Sequence, residues 1–341
     1  MTITTDIAII GGGLSGALMA ICAEAHGFTA CVIDAQPSHL QNFDDFDGRS
    51  YAMAHTSVRM LKALGLWQHL EQTAQPILDI KISNGGIAET PSPFLLHFDH
   101  HDLEEGPMGH MVEDRILRPL LQEHLKQRDR IIYLDETEVI EHNSGQASSG
   151  LILKGQKTTV TAQLVIAADG RKSALASSAG ITYSGWDYAQ TSLVCALEHE
   201  KPHRGIAYQH FMPPGPLAIL PLKNNRASIV WTETKDNAKT IMGLDADAYL
   251  DVLRPRFGDF LGDIRLAGKR FAFPLEMSIA KSLVANRLAL VGDAAHGMHP
   301  IAGQGLNAGL RDIAALTQII HDAKQRGEDF GSTAVLNRYQ E

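Results

Sequence analysis

The spacing of apolar positions along the chain changes several times, and each change predicts a different element. DIAII (residues 6–10) is a short uninterrupted apolar run bounded by glycines, the pattern of a strand buried on both faces. A helix is expected from about Ser15 to His26, then a second strand over TACVID (29–34), which together make a βαβ opening. SVRMLKALGLWQHLEQ (57–72) has helical spacing, with Met60, Leu61, Leu64 and Leu70 on one side. Residues 76–98 switch to strand character around the turns NGG and PSP, and ILRPLLQEHLKQ (116–127) returns to helix. Between 131 and 168 short strands break at HNSGQASSG and end in AQLVIAAD. From about 182 to 275 strands dominate, with turns at PPGP and KNN and one helix over 245–257. RLALVGD (287–293) is another buried strand, and Leu306, Leu310, Ile313 and Ile320 form a helical stripe behind it. The organisation is interleaved. Nucleotide-type α/β segments stand at both ends and in the middle, with β-rich segments inserted between them, and no internal repeat is visible.

Bulk properties narrow the function classes. A chain of 341 residues holds one large or two moderate domains and buries about three quarters of its unfolded surface. A net charge of −9 argues against nucleic acid as a partner, because phosphate binding needs concentrated Lys and Arg. Cys22, Cys31 and Cys195 are odd in number and widely spaced, which fits a reducing cytoplasm better than a disulfide framework. No stretch approaches the ~18 uninterrupted apolar residues of a membrane span, and MTITTD lacks the basic region of a signal peptide. Peripheral contact with the inner face of a membrane stays open. VLNRYQE stops inside what reads as a helix, as though a C-terminal segment had been removed.

Two glycine clusters carry the chemistry. In GGGLSG the spacing Gly11-x-Gly13-x-x-Gly16 follows a strand and opens a helix, the context the dinucleotide fingerprint demands. Gly11 permits the tight turn, Gly13 lets the backbone approach a pyrophosphate, and Gly16 allows close helix–strand packing. Leu14 and Ser15 complete the turn, and the pyrophosphate sits on the helix N-terminus. Asp34 closes the second strand, where a carboxylate binds a ribose hydroxyl. These residues alone leave FAD and NAD both open. ADGRKS (168–173) follows the apolar strand LVIAA, so Asp169 and Gly170 form a strand exit. VGDAAHGMHPIAGQGLN (291–307) places Asp293 at the C-terminal end of a parallel strand, where ligands of open α/β sheets bind. Pro300 stiffens the next turn. Gly303, Gln304, Gly305, Leu306 and Asn307 then open a helix whose small residues let backbone amides approach a flat ring, and whose N-terminus favours negative charge.

The order GxGxxG, then DGR with AxxxxSxxxLxxLGLW, then DG, then GDAAHxxxPxxGQGxN resembles the FAD-dependent aromatic hydroxylases of the p-hydroxybenzoate hydroxylase type. HPIAGQGLNAGLRDIAAL and GWDYAQT (185–191) are similar to its ubiquinone-biosynthesis (UbiH-type) branch. The resemblance covers nearly the whole chain; members of that branch usually run further at the C-terminus. It implies a Rossmann-like α/β FAD-binding domain made of 1–75, 106–181 and 276–341, with an interleaved β-sheet substrate domain of 76–105 and 182–275. It implies that Arg49 contacts the FAD phosphate or the flavin edge, and that Asp169 and Gly170 serve both FAD and NAD(P)H. Two positions depart from the pattern. Ala176 stands where an arginine usually ends the motif after DG, which weakens NAD(P)H docking there. Asp114 in VEDRIL replaces a residue more often Asn, Gln or Arg, which shifts the expected FAD contact to neighbouring Arg115.

The resemblance further implies that NAD(P)H acts as a transient reductant and that O₂ adds to the reduced flavin. The C4a-hydroperoxide so formed would hydroxylate a prenylated phenol. QHFMPPGPLAILPL (209–222) is apolar as any core strand would be; the resemblance makes Phe211, Leu220 and Pro221 a candidate substrate wall, with Trp231 and Phe273 as further candidates. No acid–base residue is assigned. Peripheral membrane contact and other quinone-biosynthesis proteins are the expected partners. Rival functions are a flavin-dependent reductase or oxidase, a hydroxylase of another aromatic, and a FAD-bound scaffold subunit without turnover.

Three other patterns are set aside. HEKPH (199–203) matches a zinc motif that needs a helix, and Pro202 breaks one there. FDHHD (98–102) reads as a solvated loop rather than a metal site, because adjacent strand residues point to opposite faces. Ser57 and Ser173 lack the strand-to-helix elbow of a nucleophile.

Overall fold

The computed structural model describes residues 2–38, 46–87, 95–104 and 106–341. The PSP turn expected at 91–93 lies outside the described residues. Among the described residues, three sheets organise the fold. In the first, Thr2–Ile10 lies parallel between Thr159–Ala167 and Ala30–Ile33. Leu288–Leu290 and Ile131–Leu134 extend it in parallel on either side. The central strands are apolar on both faces because both are covered. Ile7, Ile9, Val32, Leu164 and Ile166 pack under the helices Leu14–Ala25, Asp114–Gln127 and Gln304–Gln325. Ala8, Cys31, Ile33 and Val165 pack on the opposite side, under the antiparallel hairpin 139–153 and the short helix Ala174–Ser178.

The second sheet is nine-stranded and built on the long strand Tyr183–His199, with Phe271–Ala280 and Arg226–Thr234 antiparallel on its flanks. Its far edge runs through Gly215–Leu222, Ile206–Met212, Asp79–Asn84 and Leu96–Asp99. One face of this sheet is covered by the helices Lys235–Met242 and Ala246–Phe257. The other meets a small antiparallel sheet of Ser50–Ala54, Gly109–Glu113 and Gln75–Ile77, where Ala196, Ala207 and Leu222 pack on Ile77 and Met111.

Three element boundaries differ from the pattern of apolar spacing. The helix expected over 57–72 spans His55–Ala63, because Gly65 takes a left-handed φ of 72° and the chain resumes as a short 3₁₀ turn at Trp67–His69. Lys235–Met242 is a helix inside the region expected to be strands. Thr234 caps it by accepting a hydrogen bond from the Asn237 amide, a start signal the strand periodicity masks. HNSGQASSG is the tip of a hairpin whose two strands, Val139–Ser144 and Ser149–Leu153, both reach into it. No helix among the described residues is long and apolar enough to cross a membrane.

Candidate functional site

The site starts at the first glycine turn. Gly11 has φ +101°, and its amide donates to the Ile33 carbonyl at 2.8 Å. A Cβ at Gly11 would stand 2.4 Å from the Ala168 carbonyl oxygen, and one at Gly16 would stand 1.8 Å from the Gly11 oxygen. Gly13 differs: a Cβ there would meet nothing within 4 Å, because the residue faces open space at the N-terminus of the helix Leu14–Ala25. No side chain caps that helix, so its first-turn amides are left for a ligand. Asp34 braces the turn. Its Oδ2 accepts the Gly12 amide and its Oδ1 the Gln36 amide, each at 2.9 Å. A cleft of about 700 Å³ opens in front, lined by Gly11, Gly13, Asp34, Arg49, Arg118 and the Asp169–Gly170 exit, with Thr137–Val139 at one end. Leu14 is partly buried against the helical core, and the Ser15 side chain packs against Gly292 and Gly309; neither lines the cleft.

A buried carboxylate sets the cationic wall of this cleft. Asp114 is fully buried at the start of the helix Asp114–Gln127. It accepts from the Tyr51 hydroxyl at 2.8 Å and from Arg118 Nη2 at 3.1 Å, and pairs with Arg49 Nη2 at 3.2 Å. Arg49 is held from the other side by Asp47, at 2.7 Å from its Nε. Burial and the neighbouring Asp114 charge push the Tyr51 hydroxyl well above its ordinary range, so it stays a donor. Arg115, the expected contact, instead pairs with Glu113 at 2.7 Å, lies over the Phe46 ring and does not line the cleft. Arg118 lines the cleft instead. It stands one helical turn after Asp114, and this i, i+4 spacing was the signal available in DRILR.

The second glycine turn lies beside the first. Gly292 (φ +62°) leaves only 2.6 Å between its would-be Cβ and Ser15 Oγ, and Gly309 faces Gly292 in turn, so the two turns touch through their small residues. Asp312 ties this segment down, accepting from the Gly292 amide at 2.8 Å and lying 2.7 Å from His296 Nε2. That contact raises the imidazole's pKa. Asp293 is half-exposed and pairs with Arg171 at 3.3 Å. Asp293, Pro300, Gly303, Gly305 and Leu306 line a second cavity of about 210 Å³, together with Ser50–Ala52 and Arg171. Asn307 is fully used elsewhere. Its Oδ1 accepts from Ala54 N and Ser57 Oγ, and its Nδ2 donates to the Ala52 and Gly303 carbonyls, all within 2.7–2.8 Å. Its side chain therefore locks the strand Ser50–Ala54 onto the turn and has no capacity left for a ligand. The Gln304 amide folds back onto the Ala302 carbonyl at 3.3 Å.

The two cavities suit one long, hinged ligand with an anionic middle. Gly13 and Gly305 both leave open space for backbone approach. Asp169 accepts the Ala174 amide with Oδ2 at 3.0 Å, while its buried Oδ1 has no hydrogen-bond partner, as expected of a group awaiting a donor. Residues 4–341 match the model of a family described as the FAD binding domain. A ubiquinone hydroxylase, UbiL, of Rhodospirillum rubrum is 42% identical over 98% of this chain and 76% of its own length. The chain belongs to the FAD-dependent hydroxylases of the ubiquinone-biosynthesis branch. The 3-demethoxyubiquinol 3-hydroxylase of Escherichia coli is 34% identical over 98% of this chain and 84% of its own length. The fold is that of p-nitrophenol 4-monooxygenase from Pseudomonas putida, with a TM-score of 0.79 at 19% identity, covering 99% of this chain and 84% of that one. The protein is thus a mixed α/β flavoprotein monooxygenase whose cofactor is FAD.

Within this flavoprotein, strand alternation sorts the substrate candidates by face. Gln209, Ala218, Val230, Val194 and Phe271 pair in one row across the large sheet. Phe211, Leu220 and Phe273 share that face, and Leu220 and Val230 reach the second cavity. Phe271 lies under the Arg49 guanidinium at 5.6 Å. Pro221 and Trp231 point the other way, a correction to the expected wall. Trp231 is fully buried beneath the two covering helices, donates from Nε1 to Glu233 at 3.1 Å and packs on Tyr249 and Arg256. Pro221, next to Leu220, is buried with the same layer.

The patterns set aside resolve as follows. HEKPH ends a strand and turns: His199 Nδ1 and His203 Nε2 each bond a backbone carbonyl, at 2.8 and 2.7 Å. Ser57 donates to Asn307, and Ser173 caps the helix Ala174–Ser178. Ala176 is buried in the apolar layer under the first sheet. FDHHD is the end of the strand Leu96–Asp99 and a 3₁₀ turn, not a free loop.

Proposed function

We propose that this flavoprotein hydroxylates the aromatic ring of a prenylated phenol in ubiquinone biosynthesis, consuming NAD(P)H and O₂. One observation carries this reading: Leu220 and Val230, from the apolar sheet face, share a cavity with Asp293, Gly303, Gly305 and Leu306. A flat ring bound against the glycine turn would therefore face an apolar wall. Bound FAD supplies the reduction and the oxygen activation. The chain's residues orient and shield it. Gly13, the helix N-terminus, Arg49 and Arg118 hold the pyrophosphate; Asp34 holds the ribose and Asp293 the ribityl chain; Pro300 through Leu306 hold the ring. Segments 1–75, 106–181 and 276–341 serve the cofactor, and 76–105 and 182–275 the substrate.

Phe211, 39% exposed, and Phe273, 44% exposed, lie on the same face beyond the cavity and give a prenyl tail an apolar path outward. That path suits a protein working at the surface of a membrane. The test uses FAD-loaded protein under air with NADH or NADPH. A prenylated phenol should stimulate nicotinamide oxidation and give a product carrying one oxygen atom from O₂. Stimulated oxidation with no ring-hydroxylated product, or rescue of none of the strains each blocked at one ring hydroxylation of quinone synthesis, overturns the proposal. Phe273→Ala should raise KM for a long-tailed substrate several-fold with little change in kcat.

A further inference from the structure

The edge of the large sheet holds a second cluster of reactive side chains. Asp79–Asn84 and Leu96–Asp99 pair antiparallel, and their register sets Asp79 directly opposite Asp99. Two like charges in facing positions destabilise a strand pair, and a cation between them relieves that. Three histidines surround the pair. His97 Nε2 lies 3.6 Å from Asp79 Oδ2; His100 Nδ1 lies 3.7 Å from Asp79 Oδ1 and 3.3 Å from Asp99 Oδ1. The Nδ1 atom of His100 is shielded from solvent and faces both carboxylates without a hydrogen bond to either. Asp79, His97 and Asp99 fall within metal-sharing distance of one another, as do Asp99, His100 and His101.

We propose that Asp79, His97 and Asp99 form a binding site for one divalent ion of the zinc class, with the His100 imidazole beside them between the same two carboxylates. A tetrahedral zinc ion with bonds of about 2.0–2.1 Å holds its ligand atoms roughly 3.3 Å apart. The ligand atoms of Asp79, His97 and Asp99 lie within 4.8 Å of one another, and the 3.6 Å between Asp79 Oδ2 and His97 Nε2 is close to that spacing and too long for a good hydrogen bond. Mixed imidazole and carboxylate donors select zinc and its neighbours over magnesium and calcium, which prefer oxygen alone. His101 stands behind the set: its Nδ1 lies 2.7 Å from Asp99 Oδ1, and its backbone amide donates to the same oxygen at 2.9 Å. That is the supporting contact that orients a ligating carboxylate. The segment FDHHD thus departs from the solvated loop expected of it.

The site's place in the fold defines its role. Asp79 shares a sheet face with Lys81, whose register partner is Tyr208, on the side opposite Gln209 and the flavin-facing row. The ion would clip the edge strand Leu96–Asp99 and its 3₁₀ turn onto the sheet, apart from electron transfer. The experiment titrates tag-free, FAD-loaded, chelator-treated full-length protein with Co²⁺ and then Zn²⁺. One Co²⁺ per chain should bind with the intense visible absorption of tetrahedral cobalt, be displaced by one Zn²⁺, and the melting temperature should rise with zinc. His97→Ala should lose saturable binding while keeping bound FAD, and His101→Ala should weaken affinity about 10–100-fold. No saturable Co²⁺ uptake by the unmutated protein overturns the proposal, as does uptake unchanged in His97→Ala; the cluster is then a charged network only.

Discussion

The two glycine turns solve different problems with the same residue. In the first, Gly11 and Gly16 are imposed by backbone contacts, and of the three fingerprint glycines Gly13 alone leaves room for a Cβ. In the second, Gly292, Gly303 and Gly309 are imposed by Ser15, Ala52 and each other, and only Gly305 is open. Each turn therefore devotes most of its glycines to packing and keeps one for approach. Their surroundings diverge. The first is held by the Gly11–Ile33 backbone hydrogen bond and the Asp34 carboxylate, and fronts a cationic wall of Arg49 and Arg118. The second is held by the side chains of Asn307 and Asp312 and fronts apolar Leu220 and Val230. A cofactor with a charged middle and a flat, mostly apolar ring matches that division, and the Ser15–Gly292 contact joins the two turns into one site.

The largest effect should come from confusing a packing glycine with an approach glycine. Gly16→Ala forces a Cβ to 1.8 Å from the Gly11 oxygen, so the expected outcome is protein that does not accumulate in folded form. Gly13→Ala meets nothing. It should fold with an unchanged circular dichroism spectrum but bind FAD at least about tenfold more weakly, for the loss of roughly one backbone–phosphate contact. Equal behaviour of the two variants in a melting and flavin-content comparison would break the distinction. Next in size is Asp114→Asn, which leaves Arg49 and Arg118 facing each other without their shared buried carboxylate. Because both guanidiniums keep some solvent, the loss should sit near the low end for a broken buried pair, about 3 kcal/mol in denaturant titration. FAD affinity should fall with it.

What was legible beforehand follows from how strongly a structural need restricts residue type. Left-handed or crowded backbone admits little but glycine, so Gly11, Gly16, Gly292 and Gly303 appear in the sequence directly. A strand's alternation is equally plain, but which face looks at the flavin depends on the sheet's packing. Leu220 and Pro221 were therefore indistinguishable until the covering helices claimed the Trp231 side. Arg115 and Arg118 differ only by where a helix turns them, and Asp114 decides between them through a contact one turn away. Asn307 looked like a ligand residue because its position beside the glycines is real. Three of its four internal hydrogen bonds go to Ala52, Ala54 and Ser57, some 250 residues earlier in the chain, and the fourth goes to Gly303.

The smallest effect is electrostatic and belongs to the second turn alone. The Asp312 hydrogen bond raises the pKa of His296 above its ordinary 6.5. A raised folded value means the charged imidazole's stabilisation is fully present below pH 6.5 and is lost as pH rises through the folded value. Stability should therefore decline modestly as pH rises from about 6.5, and His296→Ala should remove that slope without touching the first turn. A slope that survives His296→Ala assigns it to another group.

The central claim is that both turns hold a single FAD, and Asp293→Ala tests it most directly when FAD and ADP binding are measured on the same purified protein. The account predicts that the variant keeps ADP affinity, through the intact first turn, and loses FAD, so the protein is colourless. A folded Asp293→Ala protein that retains one FAD per chain would contradict it.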